Sequence, residues 1–331
     1  MRAGQDEMTL WRMRQERRAA RLRRAWGDSP YNAAGCIGAV LCVAVCLGGC
    51  GGPKEEGAIG TKERPLELAV PVADKAAPLG DFVRKRTGLV CREVAAGSLG
   101  ELLDLLDEGA VDVLVLPAPV YALASGPYNL LAILKARRAD TLETRGLILV
   151  RADRGLVTVA DAKGLVAAAT EPAAMTGCLL QRVLVTEQKA TPSRVMYLGD
   201  EAKVVRAVYE GEADVGFVTW RVNDEGNPND ARAALFYDVP GIFQDVVPLA
   251  VTRAVPHDAV AVRARVPDVA RQRLAAALIE FAETREGAAY LKERYGIEGL
   301  VAADDVEYRE LARRLRRAKV RLVELLPEEE D

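Results

Sequence analysis

The chain of 331 residues is poor in the side chains that most hydrolases use for chemistry. It contains a single histidine, His257, and aromatic residues make up only 5% of it. After Cys50 the serines are Ser98, Ser125 and Ser193, and none lies in a nucleophile-elbow motif. The sequence has no glycine-rich nucleotide loop and no cluster of metal-ligand residues. These absences argue against a Ser/His/Asp hydrolase or a zinc enzyme, so we predict a non-enzymatic protein without metal or cofactor.

The first 49 residues are rich in arginine. They hold eight basic and four acidic residues, whereas the rest of the chain holds 37 basic and 44 acidic residues. The acidic excess of the larger part argues against a nucleic-acid partner. A basic run, Trp11–Arg24, precedes an apolar segment, Ala33–Gly49, that is shorter than the ~20 residues of a membrane span. This order is typical of a secretory signal peptide, which we predict over residues 1–49.

Three cysteines lie at the end of the apolar segment and directly after it. They are Cys42, Cys46 and Cys50, spaced four residues apart. No histidine or acid accompanies these thiols, which argues against a metal site. The ending "LGGC" (Leu47–Cys50) resembles the lipobox of bacterial lipoproteins, in which the cysteine is lipidated after cleavage. We therefore expect a lipidated Cys50 and a polar tether over residues 50–64, which would hold the protein to a membrane in the periplasm or cell envelope. An uncleaved apolar anchor is the alternative.

The rest of the chain alternates short β-rich runs with amphipathic helices, a pattern typical of α/β proteins. Ser98 and Glu101 form a predicted capping box at the start of one helix, and Gly109 is a natural end for it. The stretches Glu108–Val115 and Glu210–Phe217 share E-G-x-x-D-V, and each joins a helix to a strand. This repeat predicts two similar lobes that face each other across a ligand cleft.

Two segments are predicted to link the lobes. Thr144–Asp153 would carry the chain out of the first lobe, and Val255–Pro267 would bring it back. We therefore predict that residues 65–148 plus 255–331 form one lobe and residues 149–254 form the other.

Near the C-terminus the spacing of apolar residues predicts a basic helix over Glu307–Leu326. Its apolar stripe would contain Leu311, Leu315, Ala318, Leu322 and Leu325. Its four clustered arginines would form a solvated face: Arg313, Arg314, Arg316 and Arg317.

From about Glu67 to Arg309 the chain resembles the PhnD-type family, the substrate-binding proteins of phosphate, phosphite and phosphonate ABC transporters. The similar stretches include Asp107–Ala124, Arg145–Pro172 and Val208–Val218. The resemblance implies the type II periplasmic-binding-protein fold, α/β with two lobes that are each a mixed sheet flanked by helices. It also implies that a small solute is captured between the lobes and presented to an ABC permease.

The family's anion-binding turn, D-P-x-S-T-S-G, is similar to Glu171–Gly177, which reads "EPAAMTG". Ala174 and Met175 replace two hydroxyl residues, whereas Thr176 and Gly177 are kept. Each lost hydroxyl would remove about 1.5–3 kcal/mol of binding free energy. The N–H groups at a helix start still suit an anion, so the resemblance implies ligand contacts at these four residues.

The resemblance implies three further ligand contacts. Tyr121 keeps a family tyrosine, Asp200 stands where relatives carry a basic donor, and Thr219 lies near an acid that meets a ligand amine in some relatives. Trp220 follows a strand end, where we expect it to line the cleft or to pack. Simpler roles are open as well: Tyr121 as a core aromatic residue, and Asp200 and Thr176 as helix N-caps.

Cys178 is predicted to lie in the first turn of a helix, where a thiol has a lowered pKa. Some relatives sense arsenite through a cysteine, which would give Cys178 a thiophilic role. A buried, small apolar side chain is the alternative. A disulfide with Cys91 would join opposite lobes, so we do not expect one.

We therefore predict a lipid-anchored extracytoplasmic substrate-binding protein, a monomer, that captures a phosphonate- or phosphate-like oxyanion or another small polar solute for an ABC transporter. One alternative is a sensory subunit for a membrane histidine kinase, with a thiophilic oxyanion as a candidate ligand. Another is a scaffold lipoprotein that has lost ligand binding, which an overfilled cleft would favour.

Overall fold

The computed structural model describes residues 58–71 and 78–326. Within these ranges, none of the helices combines the length and the apolar character that crossing a membrane requires. The predicted signal peptide over residues 1–49 and the lipidated Cys50 lie outside the described residues.

Strands and helices alternate along most of the described chain. The strands are β1 (Leu66–Val70), β2 (Cys91–Ala95), β3 (Val113–Leu116), β4 (Leu130–Arg137), β5 (Glu143–Thr144), β6 (Gly146–Arg151), β7 (Val166–Ala169), β8 (Arg194–Tyr197), β9 (Val215–Thr219), β10 (Val246–Val251), β11 (Val255–Pro256), β12 (Ala259–Arg263) and β13 (Gly299–Ala302). The α-helices are α1 (Pro78–Thr87), α2 (Leu99–Glu108), α3 (Ala118–Tyr128), α4 (Leu180–Glu187), α5 (Glu201–Glu210), α6 (Ile242–Asp245), α7 (Asp268–Glu283), α8 (Arg285–Tyr295) and α9 (Asp305–Arg317). A π-helical segment, Met175–Leu179, leads directly into α4.

Eleven of the described strands form two mixed sheets, and β5 and β11 pair separately as a two-stranded antiparallel sheet. The first has the order β13-β4-β12-β3-β1-β2, with β1 parallel to β2 and β3 and with β12 antiparallel to β3 and β4. The second has the order β10-β6-β9-β7-β8, with β7 parallel to β8 and β9 and with β6 antiparallel to β9 and β10. Each sheet with its helices is one lobe, which confirms the predicted two-lobed α/β fold. The first predicted lobe boundary, at 148/149, falls inside β6, and the boundaries stay a prediction.

The repeated helix–glycine–strand unit is present in both lobes. Gly109 ends α2 and Gly211 ends α5, each with positive φ (74° and 80°), a conformation that glycine adopts without strain. Ser98 Oγ accepts a hydrogen bond from the Glu101 N–H at 3.1 Å, as predicted. The Glu101 carboxylate instead accepts from the Gly97 N–H, one residue before the N-cap, so the capping is reciprocal but shifted by one residue.

The prediction of one continuous helix over Glu307–Leu326 is wrong. Helix α9 ends at Arg317, Lys319 has a left-handed φ of 58°, and a short 3-10 turn follows at Leu322–Leu325. The five residues of the predicted stripe are nevertheless all buried. Arg314 is only 4% exposed, because α4 covers this side of α9 and the Arg314 Nε donates to Glu187 Oε1 at 2.9 Å. Its predicted place on a solvated face is therefore also wrong.

One apolar cluster contains residues from both lobes. Leu179, Leu180 and Val183 of the second lobe are buried together with residues of α3 and α9 from the first lobe. An ion pair, Arg182–Glu324 at 3.1 Å, also joins the two lobes. Apolar packing therefore holds the lobes together on this side of the molecule.

Candidate functional site

A cleft of about 1180 Å³ lies between the lobes. The first lobe lines it with Pro117–Pro119 at the start of α3, and the linking segments line it with residues 141–145 and 256–258. The second lobe contributes Ala173, Met175 and Thr176 from the turn before α4 and residues 219–222 from the end of β9. The cleft therefore lies beyond the carboxyl end of β9, as expected for a ligand site in an α/β sheet.

Some basic side chains of the cleft form ion pairs with acidic residues, and another does not. Three of them form ion pairs: Lys135 with Glu307, Arg138 with Asp258, and Arg221 with Glu201. The side chain of Arg145 makes no ion pair or hydrogen bond with any described residue, and the same is true of Glu143. Arg145 follows β5 and Glu143 begins it, two residues earlier. The cleft thus presents one free cation and one free anion from the same short segment.

A chain of hydrogen bonds fixes the hydroxyl protons on the second-lobe wall. Thr176 Oγ1 lies 2.7 Å from Thr219 Oγ1, and the Thr219 hydroxyl and N–H both donate to Glu201 Oε1, the N–H at 2.7 Å. The carboxylate of Glu201 can only accept and also pairs with Arg221 at 2.8 Å. The Thr219 proton therefore points to Glu201 and the Thr176 proton points to Thr219. Thr176 then presents oxygen lone pairs to the cleft rather than a donor.

The turn that corresponds to the predicted anion site, Glu171–Gly177, leads into the π-helical segment Met175–Leu179. Its N-cap is Ala174, without a side-chain cap, so the predicted role of Thr176 as an N-cap is wrong. The fully buried amide of Gln181 donates to the Thr176 carbonyl at 2.5 Å and to the Val218 carbonyl at 2.8 Å, which fastens the segment to β9. Gln181 was not predicted from the sequence. Its signal is a polar amide within the apolar run Leu179–Val185.

Backbone donors at this turn remain available. The N–H groups of Met175, Thr176 and Gly177 donate to no described residue, because the first N–H groups of a helix lack an intrahelical acceptor. They lie at the positive end of the dipole of the segment that continues into α4. Together with the free guanidinium of Arg145, they give the cleft donors for an oxyanion, although two of the family's hydroxyls are absent.

Only some of the residues that are predicted to contact the ligand line the cleft. Met175, Thr176, Thr219 and Trp220 line the cleft, whereas Ala174 and Gly177 are not among its lining residues. The fully buried Tyr121 donates to Asp305 Oδ1 at 2.5 Å and accepts from the Ala132 N–H at 2.6 Å. Asp200 caps α5 by accepting from the N–H groups of Ala202 and Lys203. Ligand contact at each of the eight predicted residues stays a prediction.

The expected low pKa of Cys178 is wrong. Burial raises the pKa of the Cys178 thiol to about 11, because the residue is only 2% exposed and burial outweighs the nearby positive charge of Arg182. Burial likewise raises the pKa of Cys91 to about 12. Both cysteines are free thiols. The structure thus gives Cys178 the environment of a small apolar side chain.

Gly177→Ala is expected to destabilise the protein by about 1–3 kcal/mol through overpacking. A Cβ at Gly177 would lie 2.1 Å from Thr170 Oγ1 at the end of β7. Urea denaturation of both proteins measures the difference. Gly100→Ala in α2 is the matched control, because its Cβ would meet Ser98 Oγ only at 3.6 Å. Thr170→Ala should restore part of the stability of Gly177→Ala, and equal stability of the two alanine variants would contradict the packing argument.

His257 is expected to make the protein less stable as the pH falls below about 6.5. Burial lowers the pKa of His257 below its usual 6.5, with nearby Asp258 acting in the opposite direction. The unfolded chain then binds the proton more readily, so stability falls as the pH drops below about 6.5 and levels off below the folded-state pKa. The slope is at most about 1.4 kcal/mol per pH unit for one proton.

Urea denaturation of the wild type and of His257→Gln at pH 7.5, 6.5 and 5.5 measures this contribution. Because the chain has one histidine, the difference between the two proteins isolates it from the titration of carboxylates. Parallel pH profiles for the two proteins would show that His257 is not responsible.

Two lobes, each built on a mixed sheet, with a cleft of about 1180 Å³ between them are typical of a bilobed binding protein. Residues 65–308 match the model of the family described as the periplasmic substrate-binding protein of phosphonate ABC transporters. The chain belongs to this family, as its sequence indicated. Members of the family bind a small molecule and work with an ABC permease.

Solved structures share the fold. The chain is similar to XAC2383 from Xanthomonas citri bound to ATP, with a TM-score of 0.57 and 19% identity over 77% of this chain and 98% of that chain. The structure of XAC2383 bound to chloride gives a TM-score of 0.56 and 20% identity with the same coverage. At this identity the likeness concerns the fold alone. A search of curated proteins gave no significant match.

Proposed function

We propose that the protein captures a small phosphorus oxyanion in the cleft and presents it to an ABC permease. The observation that carries this proposal is the free guanidinium of Arg145 in the same cleft as the free N–H groups of Met175 and Thr176. A guanidinium presents a planar set of donors that matches a phosphonate group. The N–H groups at the start of the π-helical segment supply further donors from the opposite lobe.

The same cleft favours a ligand that also donates hydrogen bonds. Thr176 presents lone pairs because its proton is directed to Thr219, and Glu143 is a free carboxylate two residues from Arg145. A fully deprotonated oxyanion would meet both acceptors unfavourably. A zwitterion, such as an aminoalkylphosphonate, places its anionic group at Arg145 and its ammonium group at Glu143. We therefore propose this class over simple phosphate.

We further propose that the protein acts as a monomer held to the membrane by a lipid on Cys50. The support is the "LGGC" ending of the apolar N-terminal segment and the polar stretch that follows it. Mass spectrometry of the protein purified from membranes tests this, with Cys50→Ser as the control. A diacylated N-terminal Cys50 is the expected result, and an unmodified cysteine contradicts it.

A thermal-shift screen tests the ligand class. The panel contains phosphate, phosphite, methylphosphonate, 2-aminoethylphosphonate, sulfate and ATP. A ligand at 100 times its dissociation constant adds about 2.7 kcal/mol of stability, which raises the melting temperature by several degrees. We expect the largest shift with 2-aminoethylphosphonate and its reduction to the methylphosphonate level in Glu143→Gln. A panel without any shift would contradict oxyanion binding.

A scaffold that no longer binds a ligand is the second candidate. It is favoured by the apolar cluster that joins Leu179, Leu180 and Val183 to the first lobe, because this packing restricts opening of the lobes. The cleft volume of about 1180 Å³ argues against it, since this cleft has room for a small solute. Small-angle X-ray scattering with and without the best ligand of the panel separates the two candidates: a scaffold gives identical profiles and no thermal shift.

A further inference from the structure

A second cavity, of about 550 Å³, lies where the C-terminal end of α4 meets the C-terminal end of α9. The segment between β10 and β11 reaches it with Arg253. The cavity shares no lining residue with the cleft. The π-helical segment and α4 together span 13 residues, or about 20 Å, so their first turn lines the cleft and their last turn lines the second cavity. This cavity is therefore a separate place at which both lobes and their connection meet.

Positive charge dominates the second cavity. Its basic lining residues are Arg253, Arg314 and Arg317. The acidic residues beside them, Glu187 and Glu310, are already paired, with Arg314 and with Arg313 outside the cavity. The side chains of Arg253 and Arg317 make no ion pair or hydrogen bond with any described residue. Two guanidinium groups therefore converge on the cavity without a counter-charge.

Arg314 adds an unsatisfied buried donor. Its side chain is 4% exposed, and its Nε donates to Glu187 Oε1 at 2.9 Å. Its Nη2 is buried without a hydrogen-bond partner among the described residues. Buried charged donors in folded proteins are nearly always paired, so this atom indicates a missing acceptor.

We propose that the second cavity binds a small, multiply charged oxyanion of the phosphate class. Three guanidinium groups match the geometry of a tetrahedral oxyanion, whose oxygens would supply the acceptor that Arg314 lacks. The cavity lies at the C-terminal ends of two helices, where the helix dipoles oppose an anion with roughly half an elementary charge each. These dipole ends oppose the three guanidinium charges only in part, and a divalent anion such as phosphate or sulfate gains more from the remaining positive charge than a monovalent ion does. Bound in this way, the anion contacts both lobes at once.

Isothermal titration calorimetry with inorganic phosphate tests this site on the full chain. The Arg145→Ala background weakens binding in the cleft, so a further loss on substitution of the second cavity's arginines reports on that cavity. We expect phosphate to bind this variant. Adding Arg253→Gln and Arg317→Gln should weaken that binding by at least about tenfold for each guanidinium lost, since each supplies charge-assisted hydrogen bonds. Both arginines are exposed, so these changes should not disturb folding.

The matched control carries Arg273→Gln and Arg285→Gln in the same background. These arginines are also exposed, belong to α7 and α8, and line neither cavity. The control should bind phosphate as tightly as the Arg145→Ala protein, and chloride at equal ionic strength should not compete. Equal phosphate binding by the two triple variants, or no phosphate binding by the Arg145→Ala protein, would overturn the proposal. A failure of the cleft proposal gives a different result from a failure of this one. In that case Arg145→Ala would leave the binding of 2-aminoethylphosphonate unchanged.

Discussion

Arg145→Ala is expected to weaken binding of the best phosphorus oxyanion by about 10- to 100-fold, because one charge-assisted interaction is worth about 1.5–3 kcal/mol. Arg145 is the basic side chain of the cleft that makes no ion pair or hydrogen bond with a described residue. The paired cations, such as Arg221 with Glu201, already have their charge balanced. Calorimetric titration of the wild type and the variant measures the change.

Two controls make this result specific. Arg273→Ala removes an equal charge from an exposed position outside the cleft and should leave the affinity unchanged. Arg145→Lys keeps the charge but loses the planar set of donors, so it should fall between the wild type and Arg145→Ala. Equal affinities of the wild type and Arg145→Ala would place the ligand away from this cation.

Asp230→Ala is expected to destabilise the protein by about 3–5 kcal/mol, because it leaves a buried guanidinium without its counter-charge. Asp230 and Arg232 are both fully buried in the second lobe, and two hydrogen bonds of 2.9 and 2.8 Å join them. Arg232 also donates to the Val246 carbonyl and lies 4.7 Å from the centre of the Phe243 ring. Urea denaturation measures the loss.

The double variant Asp230→Ala, Arg232→Met separates the charge effect from the packing effect. It removes both charges and keeps most of the side-chain volume, so it should be clearly more stable than Asp230→Ala alone. A loss of less than about 1 kcal/mol in Asp230→Ala would mean that water or another group compensates Arg232.

Local signals in the sequence predicted most elements of the fold. Ser98 and Gly109 marked the ends of α2, because caps and stops depend on neighbouring residues alone. The end of α9 was missed because Lys319 carries no stop signal, and its left-handed conformation comes with the tight turn that buries Val320. The apolar stripe continued through that turn, so periodicity alone indicated a longer helix.

The hydrogen bonds and charges of the cleft were harder to predict from the sequence than the helices and strands that form it. The resemblance implied ligand contacts at both Thr176 and Thr219, but the directions of their hydroxyl protons depend on Glu201, which lies on another helix. We expect Arg145 to matter for binding because its side chain stays without an ion pair among the described residues of the cleft. The sequence does not show which charged side chains pair with one another, since this depends on the folded structure. The lowered pKa expected for the Cys178 thiol fails for the same reason, since burial of its side chain outweighs the effect of its position near a helix start, whereas the buried apolar role fits the structure.

The position of a bound oxyanion in a crystal structure of the full chain with 2-aminoethylphosphonate would test the central claim most directly. We predict that the phosphonate oxygens lie between the Arg145 guanidinium and the N–H groups of Met175 and Thr176, and that the ammonium group lies toward Glu143. An empty cleft at saturating ligand, or a phosphonate group bound away from Arg145, would contradict it.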